Sequence, residues 1–266
     1  MVLPVPPGSY SFIPLPFRRR TRLLPILRLL RRLGDALLPG CCALCGADAA
    51  SPICNRCRSL ATGSPATQGS AHLSRCRQCA VELTTPDPLC GRCLSQPPAF
   101  DASFAATRYA PPVDLLVHAL KFRAQLPLAN AFAQWLLETM AAQASVSGDL
   151  LIAVPLSAER LAERGFNQAQ EIARPLARAM QLPLLSDACV RVRDTLPQSG
   201  LALADRRDNM RGAFAVMDCQ AIAGKRLLVV DDVMTTGHTL DALAACLKRH
   251  GAASVTNLVF ARTPPH

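Results

Sequence analysis

A chain of 266 residues, half of them hydrophobic, can bury a full core with a small extra module and is too apolar for general disorder. No apolar run reaches the ~18 uncharged residues of a membrane-spanning helix, so a soluble, cytoplasmic protein without a transmembrane segment is expected. The formal charge of +10 does not mark a uniformly basic surface: residues 1–40 hold seven arginines against one acid, Asp35, which leaves +4 on the other 226 residues.

The first 38 residues form a leader rich in proline and arginine. Its arginines follow the first apolar stretch, Pro25 interrupts the second, and no small-residue cleavage site follows, so it lacks a secretory layout. The expectation is either a disordered extension, such as a misplaced start codon would add, or one basic amphipathic helix over Ile26–Leu38. A helix of that kind lies on membranes or nucleic-acid phosphates.

Residues 39–96 carry most of the twelve cysteines. Eight fall into four Cys-x-x-Cys pairs: Cys42 and Cys45, Cys54 and Cys57, Cys76 and Cys79, Cys90 and Cys93. The two-residue gap lets both thiolates of one turn face one ion, and two such turns complete a tetrahedral sulfur shell suited to Zn²⁺. Eight residues separate the first two pairs and ten the last two, lengths that fit short hairpins with a knuckle at each end. A double zinc ribbon with two closed structural sites is predicted; spacing leaves sequential and cross-braced pairing both open. Disulfides fit poorly without an export signal. Cys41 is an alternative to Cys42 as a ligand, and Cys189, Cys219 and Cys246 are expected to behave as small apolar residues.

From residue 100 to 266 the pattern alternates. "FDASFAATRY" predicts a strand, "PPVDLLVHALKF" a helix, and "LANAFAQWLLETMAAQ" a helix with Leu128, Phe132, Trp135, Leu136 and Met140 near one face. "DLLIAVP" reads as a buried strand and "NQAQEIARPLARAMQL" as a helix despite Pro175. "ACVRVR" is a strand, "DTLPQSGLALADRRDNMRGAF" a polar, arginine-rich segment, "KRLLVV" a buried strand, "TLDALAACLKRHGA" a helix closed by Gly251, and "SVTNLVFAR" the last strand. Strands and helices in this order predict an α/β domain, a mostly parallel sheet with helices on both faces, and ligands outside the carboxyl ends of its strands.

"LLVVDDVMTTGHTL" sits at such an end. Thr235, Thr236, Gly237, His238 and Thr239 offer backbone N–H groups, hydroxyls and a helix N-terminus, together a cup for one phosphate. Asp231 and Asp232 beside it would repel a phosphate unless a sugar intervenes. A ribose does so, its 2′- and 3′-hydroxyls donating to the aspartates while its 5-phosphate fills the cup. His238 stands at a variable slot and reads as a bystander, and His118 as packed within its helix.

"VVDDVMTTGHT" resembles the signature of type I phosphoribosyltransferases. With the cysteine knuckles, "YAPPVDLLVHALKF", "VPLSAERLAERGFNQA" and "RVRDTLPQSGLALADRRDNMRGAF", the chain is similar to the ComF family of competence-associated, phosphoribosyltransferase-like proteins over residues 37–263. The resemblance implies a type I phosphoribosyltransferase-like fold, 5-phosphoribosyl-1-pyrophosphate (PRPP) with Mg²⁺ as ligand, and Asp231 and Asp232 as catalytic and PRPP-binding residues. It further implies a diphosphate on a loop, "AVPLSAERLAERGFNQ", near Arg160, Arg164, Asn167 and Gln168, the alternative for the two arginines being a solvated helix face, with Lys121 as another candidate and a closing segment carrying Gln198 and Ser199. Asp232 is the nearest candidate for a general base. Three functions compete: phosphoribosyl transfer to an unknown acceptor, an adaptor for single-stranded DNA and a competence helicase or DNA-processing protein, and a PRPP-sensing regulator. The cysteine region contains no aromatic residue, which weighs against strong single-strand binding by the ribbons alone.

Overall fold

The computed structural model describes residues 40–62, 74–85, 87–142, 146–192 and 212–264. The expected leader helix and the segment with Gln198 and Ser199 lie outside the described residues. Among the described residues no helix is long and apolar enough to cross a membrane.

The cysteine-rich region holds helix α1 (Asn55–Thr62), the antiparallel strands β1 (Ser74–Arg75) and β2 (Glu82–Leu83), and helix α2 (Gly91–Ser95). In each half the first Cys-x-x-Cys is a tight turn, and the second opens a helix instead of a second hairpin. Cys90 is the N-cap of α2 and accepts from the N–H of Cys93, so one residue serves as both cap and candidate ligand.

The larger sheet is built from the apolar runs. β3 (Ala102–Arg108), β4 (Leu150–Ala153), β7 (Arg226–Met234) and β8 (Ser254–Arg262) are all parallel, in the order β3-β8-β7-β4. Leu228 of β7 sits opposite Leu151 on one side and Thr256 on the other. Every residue of β4, and Leu227 through Val230 of β7, is buried. Successive residues of a strand face opposite ways, so such runs require cover on both faces.

That cover comes from helices α3 (Val113–Arg123), α4 (Pro127–Ala142), α5 (Ala158–Arg164), α6 (Gln168–Met180), α7 (Cys219–Ile222) and α8 (His238–Arg249). α4 and α6 pack on each other and on the sheet, and α8 packs on β8. All five residues expected on one face of α4 are buried, with Phe132 stacked at 3.5 Å on Phe260 of β8. Burying each such large apolar side chain contributes about 1.5–3 kcal/mol. Leu240, Leu243, Ala244 and Leu247 form the buried stripe of α8 at the spacing of a half-buried helix. Gly148, ahead of β4, has no room for a side chain, since a Cβ there would lie 2.5 Å from Leu228 Cγ.

Four local expectations change. β7 does not stop at Val230 but runs through both aspartates to Met234. Residues 158–164 are a helix, not a loop; α5 buries none of its residues, so it has no apolar period to read. The strand expected in "ACVRVR", β5 (Cys189–Arg191), stays out of the parallel sheet and pairs antiparallel with β6 (Phe214–Val216). Cys219 is exposed, unlike the buried Cys189 and Cys246, because it stands in the first turn of the short α7.

Candidate functional site

β7 carries its register past the sheet core, so Asp231 and Asp232 stand near its C-terminal end, their carboxylates close enough to act on one another. Asp231 is half-buried and accepts from the N–H of Asp232 at 2.9 Å. Asp232 is 2% exposed. Its Oδ1 accepts from Gln168 Nε2 at 3.3 Å, and Lys121 Nζ lies 2.5 Å from Oδ2. Among the described residues Oδ2 has no hydrogen-bond donor, and its contact with Lys121 is an ion pair. Burial and the neighbouring Asp232 carboxylate push the Asp231 carboxyl well above the ordinary carboxylate range, and Lys121 pulls against both.

Beyond Met234 the chain turns into α8. Thr235 and Thr236 are exposed, and Gly237 is the N-cap at φ +82. A Cβ at Gly237 would meet Met234 Cε at 2.6 Å, and left-handed backbone disfavours any side chain. As the N-cap, Gly237 offers the first turn of α8 no side-chain acceptor. A helix N-terminus of this kind is a ready anion site. His238 and Thr239 are half-buried at its start.

The expected diphosphate residues divide. Arg160 and Arg164 are half-buried on α5, whose N-terminus is capped by the buried Ser157. Arg164 donates to Gln168 Oε1 at 2.5 Å, and its guanidinium lies 5.3 Å above the ring of the exposed Phe122. Asn167 is engaged within the fold: its Oδ1 caps α6 and its Nδ2 donates to Val154 O at 3.0 Å. Gln168 bridges Arg164 and Asp232. Arg164, Gln168, Asp232 and Lys121 thus form one polar network across α5, α6, β7 and α3. His118 is exposed and rests on Phe122 one turn along.

The cysteines gather into two sequential tetrads, Cys42, Cys45, Cys54 and Cys57, then Cys76, Cys79, Cys90 and Cys93, with all sulfurs of a tetrad within 4.8 Å of one another. Cross-bracing is excluded by this geometry. Cys45 and Cys54 sulfurs are 3.8 Å apart and those of Cys79 and Cys90 3.6 Å. A tetrahedron with Zn–S bonds of ~2.3 Å has edges of about 3.8 Å, so both sets fit a zinc ion. The N–H of Cys54 donates to Cys42 Sγ at 3.4 Å and that of Cys90 to Cys76 Sγ at 3.3 Å. Burial opposes ionisation of both thiols, but backbone N–H donors outweigh it and hold Cys42 at about 6 and Cys76 at about 7. Each tetrad therefore has one thiolate ready near neutral pH. Cys41 is exposed and outside both sets.

Several contacts here have no sequence signal. Arg262, 8% exposed at the end of β8, donates Nε to Cys79 O at 2.8 Å and Nη1 to Met234 O at 3.1 Å and to Thr235 O. Arg92, between Cys90 and Cys93, donates to Thr236 O at 2.8 Å. Asp241, in the first turn of α8, accepts from Ala99 N at 2.7 Å.

Residues 161–265 match the phosphoribosyl transferase domain. The DNA utilization protein YhgH of Salmonella typhimurium is 34% identical over 233 residues, covering 85% of this chain and 98% of that protein. Competence protein F of Haemophilus influenzae is 32% identical over 186 residues, covering 68% and 81%. Among solved structures, the glutamine PRPP amidotransferase of B. subtilis aligns with a TM-score of 0.33 at 21% identity, over 50% of this chain and 25% of that one. Identity of this degree, sustained through cysteine module and sheet domain alike, is that of homologues, and the chain belongs to the ComF family of phosphoribosyltransferase-like proteins.

Proposed function

We propose that the chain binds PRPP with Mg²⁺ at the end of β7 and acts in the handling of incoming DNA during uptake. The carrying observation is the juxtaposition of two aspartates with a helix start whose N-cap is a glycine. Asp231 and Asp232 accept the ribose 2′- and 3′-hydroxyls, and Thr235, Thr236, Gly237, His238 and Thr239 hold the 5-phosphate. Lys121, Arg160 and Arg164 supply cationic charge for the diphosphate, while Asn167 and Gln168 position the loop and the aspartate behind it. Gln198 and Ser199 are further diphosphate candidates by the family resemblance alone. Mg²⁺ rides mainly on ligand oxygens and water, its preference beside phosphates, and spreads the charge of the leaving group.

In transfer, the bond from C1 of the ribose to the pyrophosphate oxygen breaks with its electron pair leaving on pyrophosphate, while an acceptor nucleophile bonds to C1 from the other side and gives up a proton. The chain contributes positioning and charge, with Asp232 the candidate for a general base. Zinc in the two tetrads is structural, since four sulfurs leave no position for a water. The names of the relatives, DNA utilization and competence, support a role beside single-stranded DNA and a helicase or DNA-processing partner. That role lies in the cytoplasm, where thiols stay reduced for zinc.

The deciding experiment is calorimetric titration of zinc-loaded protein with PRPP, with and without Mg²⁺, beside Asp231→Asn/Asp232→Asn. Micromolar, Mg²⁺-dependent binding lost in the double variant is expected, followed by a search for acceptors that release pyrophosphate. Absence of binding by the folded wild type would leave the adaptor role and discard the ligand.

A further inference from the structure

We propose that the second cysteine tetrad is a positioning element for the phosphate loop, so that metal held there and ligand bound at the loop stabilise each other. The first tetrad has no such role. Its helix α1 leans on α4 and β3, through the Arg58 ion pair with Glu138, the Arg58 guanidinium 5.5 Å over Trp135, and Thr107 Oγ1 donating to Ala61 O at 3.1 Å. None of these contacts touches the loop.

The second tetrad grips the loop by its carbonyls. Arg262 joins Cys79 O to the carbonyls of Met234 and Thr235, the first also held by Thr263 N at 3.1 Å, and Arg92 holds the carbonyl of Thr236 from between two candidate ligands. A trans peptide unit is planar, with its C=O and N–H pointing opposite ways, and these peptides are trans, the cis bond of the described chain being Pro111–Pro112. Pinning the carbonyls of Met234, Thr235 and Thr236 toward the tetrad therefore aims the N–H groups of Thr235, Thr236 and Gly237 away from it, to the side where a phosphate is expected. The space between tetrad and loop is only about 30 Å³, room for about one water. Asp241 ties the first turn of α8 to Ala99, which follows the tetrad, so cup and helix share the same anchor. The metal never touches the ligand; it fixes the frame to which the loop is bolted, and such linkage is reciprocal.

The inference rests on the phosphate-loop reading, and its test separates the two. Backbone ¹⁵N order parameters of Thr235, Thr236 and Gly237 are measured in the full zinc-loaded chain, then in Arg92→Ala, Cys90→Ser and Cys45→Ser, with zinc content determined for each. Arg92→Ala keeps both metals and serves where Cys90→Ser misfolds. The loop is expected to be rigid in wild type and in Cys45→Ser, with order parameters about 0.85, and to fall below about 0.6 in the other two. PRPP affinity falls about tenfold in those two, and PRPP slows chelation of one of two zincs by a like factor. Unchanged order parameters in Arg92→Ala and Cys90→Ser, or an equal loss in Cys45→Ser, overturn the coupling. A wild type that binds no PRPP removes the ligand assignment, while the order parameters still decide whether the second tetrad sets the loop.

Discussion

Lys121 is the counter-charge that permits a carboxylate to sit at the end of β7. Its ammonium lies 2.5 Å from Asp232, the two side chains being 21% and 3% exposed. Replacing it in Lys121→Met leaves a buried carboxylate with Gln168 as its remaining side-chain donor. Breaking a buried pair from one side costs about 3–5 kcal/mol. Lys121 keeps a fifth of its surface in water, and Asp232 can take up a proton, so about 2–3 kcal/mol is expected here. At roughly 2–4 °C per kcal/mol for a chain of this size, Tm falls by about 4–12 °C. Asp232→Asn/Lys121→Met removes both charges and should recover most of the loss, giving a coupling of at least about 1 kcal/mol in a double-mutant cycle. The assay is differential scanning calorimetry of zinc-loaded proteins at low ionic strength. A Lys121→Met protein melting within a degree of wild type, or additive effects around the cycle, would show the pair to be no stronger than a surface contact and refute the reasoning.

Three further outcomes are expected. With its folded-state pKa raised, Asp231 holds a proton that the unfolded chain has already lost, so its contribution is intact below about pH 4 and is lost as pH rises through the folded value; Asp231→Asn should raise Tm at pH 7, and the gain should shrink toward pH 4 in melts run across that range. Gly237→Ala forces a Cβ into left-handed backbone against Met234, which costs about 1–2 kcal/mol and should weaken PRPP binding by at least tenfold in titration calorimetry. Elemental analysis should find two zincs per chain, one lost in Cys42→Ser and one in Cys79→Ser, whereas Cys41→Ser and Cys219→Ser keep both.

What could be read from the chain depended on how local the determinants were. β8 falls on "SVTNLVFAR" because the apolar stretch Leu258–Ala261, rich in strand-forming side chains, follows a helix closed by Gly251, and the tetrads follow from two-residue gaps. The aspartates and the glycine-led turn were legible for the same reason, since strand end, turn and helix start are contiguous. α5 was missed because an exposed seven-residue helix buries nothing to give it a period. The pairing of Arg262 with Cys79 spans 183 residues, and that of Lys121 with Asp232 joins α3 to β7. Partnerships of that kind are created by the sheet order β3-β8-β7-β4, which no local pattern specifies.

The small β5–β6 ladder has a consequence for how strain travels. Its strands pair with each other and not with β3, β4, β7 or β8, so a substitution at Val190 or Ala215 leaves the register of the parallel sheet as it is. The ladder meets the domain through α8, where Cys246 Sγ donates to Phe214 O at 3.4 Å. A push on the ladder is therefore delivered to the C-terminal half of that helix, about two turns away from Gly237 at its start.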